Sequence, residues 1–322
     1  MRDDIKDLAD FLSMEAKDPA KPLFLVGAVV GSWRILSYLG GGGFGEVYRV
    51  EHTRVGITCA LKVLRRETEN ARARFDREVS FVAGHGNSGT PRFYEVASFE
   101  GRPYFVMEEL EPRELPSVDR DIAALMKSLC AILSELHKEG FVHRDIKPSN
   151  ILYRENGEVV LVDYGLIKKG NKGEATRATR NELTKASVVV GTERYAAPEQ
   201  LSGKAIDCHA DIHALGVLID ACFCGHVPRR WQRIVCRATS SLAEQRYPSC
   251  DALSTAISLR FAGEIVIVLA TVLMIALAAV FMSKMDWHKG DNASEAFGAA
   301  TNREHSVGRK NVSDAAGDWL LP

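Results

Sequence analysis

The 322-residue chain has almost no net charge, 41 lysines and arginines standing against 42 aspartates and glutamates for a formal charge of −1. No global field draws it to nucleic acid or to acidic lipid, so no nucleic-acid partner is expected and partner choice falls to local sites. Cysteine is sparse and odd in number. Cys59, Cys130, Cys208, Cys222, Cys224, Cys236 and Cys250 are scattered through apolar contexts, which is unlike a disulfide framework, fits a reducing compartment and makes most of them small buried hydrophobes. The first ten residues carry four aspartates and no apolar h-region, so a cleaved secretory signal is not expected.

Long hydrophobic runs are absent until late in the chain. Leu23 to Val30 is too short to cross a bilayer and is broken by Gly27, so it reads as a buried lead-in to the first strand. The exception is Ile265 to Met282, eighteen residues without charge, glycine or proline. That is close to the length needed to cross about 30 Å of hydrocarbon as a helix, and globular helices seldom stay apolar on every face for so long. Arg246 and Arg260 before it and Lys284 and Lys289 after it do not orient it. The tail, 283–322, is polar and rich in Gly, Ala, Asn and Ser. It is expected to be disordered and too short for a sizeable folded sensor domain. Its two glycosylation patterns, at Asn292 and Asn311, are short enough to arise by chance.

What remains is globular, with 46% hydrophobic and 26% charged residues. Ile5, Leu8, Ala9 and Leu12 suggest a short amphipathic helix before Pro19, inside an N-terminal extension over 1–32. From Trp33 to Tyr48 and from Thr58 to Leu64, β-branched and aromatic residues flank a glycine cluster, predicting strands joined by a turn. Ala71 to Ala83 reads as a helix. Tyr94 to Ala97 and Tyr104 to Met107 read as strands with a turn at Glu100 and Gly101. Beyond Pro116 the pattern turns helical, with Ile122, Leu125, Met126, Leu129, Ile132, Leu133 and Leu136 on one stripe. A small β-rich half thus precedes a larger α-rich half, an α+β arrangement.

Gly40, Gly42 and Gly45 form G-x-G-x-x-G within Leu39 to Val47. Glycine lets backbone close over phosphates with no Cβ in the way, although a glycine-rich hairpin is also a common structural feature. A strand rather than a helix is predicted to follow, which disfavours a dinucleotide site. Lys62, in Cys59-Ala60-Leu61-Lys62, places one amine on an apolar strand. It is either a solvated edge residue or an amine that holds phosphates. Glu78 on the predicted helix could pair with it or face solvent.

The densest stretch is His143-Arg144-Asp145-Ile146-Lys147-Pro148-Ser149-Asn150, followed by Asp163-Tyr164-Gly165. It offers a carboxylate to take or orient a hydroxyl proton, a lysine for a transferred phosphoryl group, and an amide and a second carboxylate as hard oxygen ligands for Mg²⁺.

With these landmarks in order, the chain resembles the eukaryotic-type protein kinase family, including its bacterial membrane-bound members, from Trp33 to about Leu259. The resemblance implies a bilobal fold, with an N-lobe at about 33–107 and a C-lobe at about 111–259. It implies ATP held by Leu39, Gly40, Gly42, Gly45, Val47, Ala60, Lys62 paired with Glu78, Met107 as gatekeeper, and the backbone of Glu108 to Leu110. It assigns Asp145 as base, Lys147 as phosphate-stabilising cation, and Asn150 and Asp163 as ligands of Mg²⁺ or Mn²⁺. Thr192 and Glu199 then belong to the end of the activation segment, Asp211 braces the catalytic loop and Arg246 pairs with Glu199. Lys147 with Thr192 favours the serine/threonine branch.

Arg144 before the catalytic aspartate implies control by phosphorylation, with Thr176, Thr179, Thr184 and Ser187 as candidate acceptors. That basic stretch equally suits a solvated loop. Tyr164 stands where phenylalanine is commonest and brings a hydroxyl that needs a partner if the ring packs inward. The interval from Asp211 to Arg246 is short and omits much of a region that usually forms one C-lobe helix. Cys208, His209, His213, Cys222, Cys224 and His226 invite a zinc reading, but their spacing is no standard knuckle and Ile212 to Ala221 suits a buried helix.

The resulting expectation is ATP-dependent phosphorylation of Ser/Thr hydroxyls on proteins, with autophosphorylation and a possible homodimer. The domain would be cytoplasmic, tethered to the cell membrane by a single pass over 265–282. The alternative is a membrane-tethered pseudokinase scaffold. A small-molecule kinase is disfavoured because Thr192 to Glu199 resembles a peptide-substrate segment.

Overall fold

The computed structural model describes residues 22–41, 45–86, 89–169, 193–260 and 270–282. The chain divides into two units at Ser258.

The first unit opens with a six-stranded antiparallel sheet in the order β1-β2-β3-β4-β6-β5, built from Val29–Val30, Trp33–Gly41, Gly45–His52, Thr58–Leu64, Arg102–Met107 and Phe93–Phe99 respectively. Both faces of the sheet are covered. Helix α1, Glu69–Gly84, lies against the face carrying Ala60, Leu64, Phe105 and Met107, into which it sends Ala71 and Phe75. Thr68 caps α1 by accepting the Ala71 amide, so the helix begins two residues before the hydrophobic pattern does. The opposite face, with Trp33, Ile35, Tyr48, Leu61 and Tyr104, is roofed by Leu23, Phe24 and Ala28. The lead-in is therefore only partly buried. A turn closed by the Ala28 amide on the Leu25 carbonyl, with Gly27 at φ +88°, aims Leu25 and Val26 at solvent.

The helical half begins at α2, Asp119–Lys138, whose ends carry Asp119 and Asp121 at the N-terminus and His137 and Lys138 at the C-terminus, as the helix dipole favours. Its predicted stripe is buried except Ile132, which is half-buried and pressed against Gly89, where a Cβ would fall 2.5 Å from Ile132 Cγ1. Small sheets frame the loops that follow. β7 (Glu111–Pro112), β9 (Ile151–Tyr153) and β10 (Val159–Leu161) form one, and β8 (Phe141–Val142) pairs with β11 (Lys168–Lys169) in the other.

Next come α3 (Pro198–Leu201), α4 (His209–Cys222) and α5 (Arg229–Ala238). The short interval noted in the sequence is taken up by α4 running through 223–228 directly into α5. The two helices pack so closely that a Cβ on Gly216 would lie 2.7 Å from that of Ala238. Helix α6 covers 250–260 and buries Leu253 and Ile257. Cys59, Cys130, Cys222 and Cys250 are buried, Cys208 is intermediate, and Cys224 and Cys236 are exposed; all seven are free thiols.

In the second unit, helix α7 covers 270–282 and exposes Val272, Leu273, Met274, Ile275, Leu277, Val280, Phe281 and Met282. Among the described residues no helix is long and apolar enough to cross a membrane. Residues 265–269 of the predicted span, the amphipathic pattern over 5–12 and the tail 283–322 lie outside the described residues.

Candidate functional site

Strand alternation decides where Lys62 points. On β4 it pairs in register with Val47 of β3 and Phe105 of β6, so its side chain leaves the sheet on the α1 side. There Lys62 Nζ lies 2.7 Å from both carboxylate oxygens of Glu78, three residues along the helix from the buried Phe75, and 3.6 Å from Asp163 Oδ1. Burial alone would lower the Lys62 ammonium, but Asp163 and Glu78 outweigh it and hold the lysine above its ordinary range. Burial pushes the Glu78 carboxyl up to about 7, with Lys62 pulling against that rise and Asp163 adding to it. Lys62 also holds Asp163 below the usual carboxylate range.

Val47 and Ala60 flank the lysine on the same face and pack with Met107, next to the buried Glu108 and Leu110. Gly40 is the penultimate residue of β2, Leu39 beside it is exposed, and Gly45 opens β3 so close to β4 that a Cβ would lie 2.8 Å from the Val63 carbonyl oxygen. Gly42 lies outside the described residues.

The stretch from His143 to Asn150 folds into a knot of short polar contacts. Lys147 Nζ is 2.9 Å from Asp145 Oδ2, and Asn150 Nδ2 donates to the Asp145 carbonyl at 2.8 Å and to Asp145 Oδ2 at 3.0 Å. Arg144 takes φ +73° and Asp163 +65°, left-handed backbone that a non-glycine residue keeps only when its surroundings hold it. For Arg144 the restraint is visible, because Asp211 Oδ1 accepts its amide at 2.8 Å and Gln200 Nε2 donates to its carbonyl at 2.9 Å. Asp211 Oδ2 also accepts the His143 amide at 3.0 Å and bonds His137 Nε2 at 2.8 Å. Burial alone would raise the Asp211 carboxyl, but the His137 hydrogen bond and neighbouring histidines bring it below its ordinary value. His143 is fully buried, and burial lowers its imidazole.

Tyr164 is buried between Phe81 and His143, with ring centroids 4.6 and 4.8 Å away, and its hydroxyl donates to the Gly89 carbonyl at 3.4 Å. Arg77 Nη1 of α1 donates to the Gly165 carbonyl at 2.8 Å, tying the helix that carries Glu78 to the segment that carries Asp163. Arg246 and Glu199 meet at 2.6 and 2.8 Å. Thr176, Thr179, Thr184, Ser187 and Thr192 lie outside the described residues.

The structure thus brings Lys62, Glu78, Asp145, Lys147, Asn150 and Asp163 into one region from both halves of the first unit. Sequence reasoning missed His137, Arg77, Gln200 and a clamp in which Arg154 grips Glu108 through Nε at 3.1 Å and Nη2 at 2.6 Å. None of these has a spacing signal, because each acts on a partner far away in the chain. The zinc reading gathers only Cys208 and His209, with Asp207, within 4.8 Å of one another. There Asp207 Oδ1 already bonds both the amide and Nδ1 of His209.

The donor chemistry suits a hard divalent cation. Asn150 spends its NH₂ on Asp145, which leaves its carbonyl oxygen as the group to offer, and Asp163 adds a carboxylate kept ionised by Lys62.

Residues 33–255 match the protein kinase domain family, and the chain belongs to it. Serine/threonine-protein kinase Pkn1 of Myxococcus xanthus is 34% identical over 228 residues, 67% of this chain and 31% of that protein. The probable serine/threonine-protein kinase PknB of Bifidobacterium longum is 30% identical over 243 residues, 69% of this chain and 34% of that one. The chain spans about a third of the length of the curated relatives it matches. A crystal structure of the Mycobacterium tuberculosis PknI kinase domain, a C20A mutant, superposes with a TM-score of 0.56 over 74% of this chain and 99% of that one, at 21% identity. That likeness speaks for the fold.

Proposed function

We propose that this chain is an ATP-dependent protein kinase acting on serine and threonine hydroxyls. The observation that carries the reading is the convergence of Lys62, held by Glu78, with Asp163, Asn150 and the Asp145–Lys147 pair. Lys62 would pair with the α and β phosphates of ATP. Asp145 would orient the substrate hydroxyl and take its proton as that oxygen bonds to the γ-phosphorus, while the bond to the β–γ bridging oxygen breaks and ADP leaves. Lys147, beside Asp145, would balance charge on the transferring group. Asn150 and Asp163 would hold Mg²⁺ or Mn²⁺, which when bound neutralises phosphate charge.

Membrane attachment belongs to the same reading. The uncharged run 265–282 and the exposed apolar side chains of α7 suit a bilayer, with the kinase domain in the cytoplasm where ATP is found. Autophosphorylation within 176–187, in trans between two copies, would give Arg144 an anionic partner.

The test is transfer of labelled phosphate from ATP to protein by the full chain beside Asp145→Asn. Label on serine and threonine from the wild type and almost none from the variant is expected; equal label from both would sink the reading and leave a binding module. Protease accessibility of the C-terminus in sealed vesicles checks the topology.

A further inference from the structure

Glu46 is fully buried, on the sheet face turned away from Lys62, the face whose core is Val30, Trp33, Ile35 and their apolar neighbours under the roof of Leu23, Phe24 and Ala28. Three groups hold its carboxylate. Arg65 Nη1 lies 2.8 Å from Oε1, the Leu23 amide donates to Oε2 at 2.9 Å, and the Tyr48 hydroxyl donates to Oε2 as well. The Tyr48 oxygen in turn accepts the Phe24 amide at 3.2 Å, and the Phe24 ring lies 5.6 Å from that of Tyr48. Burial raises the Tyr48 hydroxyl, and its bond to Glu46 raises it further, so it stays a donor.

An ionised carboxylate is costly to bury, and an apolar side chain at 46 would close this roof without that cost. What the charge adds is a connection. Glu46 directly follows the third glycine of the G-x-G-x-x-G loop, and Val47, next in line, is in register with Lys62. A Cβ on Gly45 would lie 3.8 Å from Lys62 Cε, so the arm that descends from the loop passes beside the phosphate-binding amine with no side chain of its own to fix it there. The first side chain able to set the height of that arm is Glu46, and it is anchored from behind by the Leu23 amide directly and, through the Tyr48 hydroxyl, by the Phe24 amide, both in the segment upstream of the kinase domain.

We propose that Glu46, with Tyr48 and Arg65, is a positioning device through which residues 22–30 fix the glycine-rich arm over the nucleotide and set its affinity for ATP. The inference rests on the kinase reading and gives the upstream segment a role in it. Because Leu23 and Phe24 are gripped through their amides as well as their side chains, displacing this segment or pulling on it would free the Gly45–Glu46 arm.

The test uses the full chain and measures KM for ATP and kcat on a protein substrate, with the Kd of a fluorescent ATP analogue in Mg²⁺. In Glu46→Ala, KM and Kd should rise about tenfold while kcat at saturating ATP stays within about twofold. Glu46→Gln keeps an acceptor for the Leu23 amide and should rise less. Leu23→Pro, which removes that amide and leaves Glu46 paired with Arg65, should rise about threefold. Wild-type KM and Kd in Glu46→Ala and Leu23→Pro would overturn the proposal, as would a fall in kcat at unchanged KM. Should Glu46→Ala fail to fold, Leu23→Pro and Tyr48→Phe decide by the same criteria. A wild type that neither binds the analogue nor transfers phosphate would remove the kinase reading itself, which is seen before any substitution is compared.

Discussion

Lys62 with Glu78 and Arg246 with Glu199 are both short, buried ion pairs, at 2.7 Å and at 2.6 and 2.8 Å. They differ in what surrounds them. The Lys62 ammonium faces two carboxylates, Glu78 and Asp163, and negative charge is in excess. The Arg246 guanidinium takes one carboxylate through its fork and gives its remaining contacts to the Ser240 and His209 carbonyls, each at 2.8 Å. The first set of charges can exchange partners and answers to pH. The second is closed, and its planar, always-charged head fits a role that needs geometry only.

Arg246→Met is the largest way to test that contrast. It leaves Glu199 buried and unpaired, and stability should fall by about 3–5 kcal/mol, read as a lower urea midpoint at unchanged m-value. Adding Glu199→Gln should recover a large part, because the uncompensated charge goes with it. Lys62→Met should behave in the opposite sense. Glu78 can take up a proton when its partner is lost, so stability should move by less than about 1 kcal/mol, while phosphate transfer falls by roughly 10²–10³-fold. A loss of stability in Lys62→Met as large as in Arg246→Met would erase the distinction.

The smaller pH effect separates the pairs without a mutation. The Glu78 carboxyl is raised by burial to about 7, so as pH falls through that value it takes up a proton and its pairing with Lys62 weakens. Phosphate transfer should therefore lose activity on the acid side of neutrality. Stability moves the other way for this group. Between the ordinary carboxylate value and about 7 the folded state holds more protons than the unfolded chain, so Glu78 contributes more stability as pH drops through that window. Glu78→Gln should flatten both trends, seen in a pH–rate profile and in urea midpoints from pH 5.5 to 8. An acid limb that persists in Glu78→Gln would assign it to another group.

How much of this was legible in the sequence follows the same divide between local and distant. The glycine cluster, Lys62, the run from His143 to Asn150 and Asp163 carry their chemistry in short words, and the α1 and α2 stripes carry their burial in a helical period. The α1 start was misjudged by two residues because Thr68 caps the helix ahead of its apolar pattern. Of what holds the site, Asp211 and the Arg246–Glu199 pair came through the family resemblance, and the partners that complete it were not legible. His137 reaches Asp211 across 74 positions and Arg154 reaches Glu108 across 46, and neither partner is marked by its neighbours. Glu46 was the deepest omission, because a glutamate on a strand beside a glycine loop reads as solvent-facing until Arg65, Tyr48 and the Leu23 amide are seen around it.

Tyr164 gives the smallest expected effect and bears on whether a satisfied polar group in the core resembles the Arg246 pair or plain packing. Its hydroxyl reaches the Gly89 carbonyl at a long 3.4 Å, and that same oxygen already accepts the Leu161 amide at 3.0 Å. Removing the hydroxyl therefore strands no acceptor, and the ring keeps its stacking on Phe81 and its contact with His143. Tyr164→Phe should change stability by no more than about 0.5–1 kcal/mol in urea unfolding. Phe81→Ala, which empties the other half of that stack, should cost about 3–5 kcal/mol. A loss above about 2 kcal/mol in Tyr164→Phe would mean that the hydroxyl, rather than the ring, anchors this segment, and the tyrosine would then be a structural polar group like Arg246 instead of a tolerated substitute for phenylalanine.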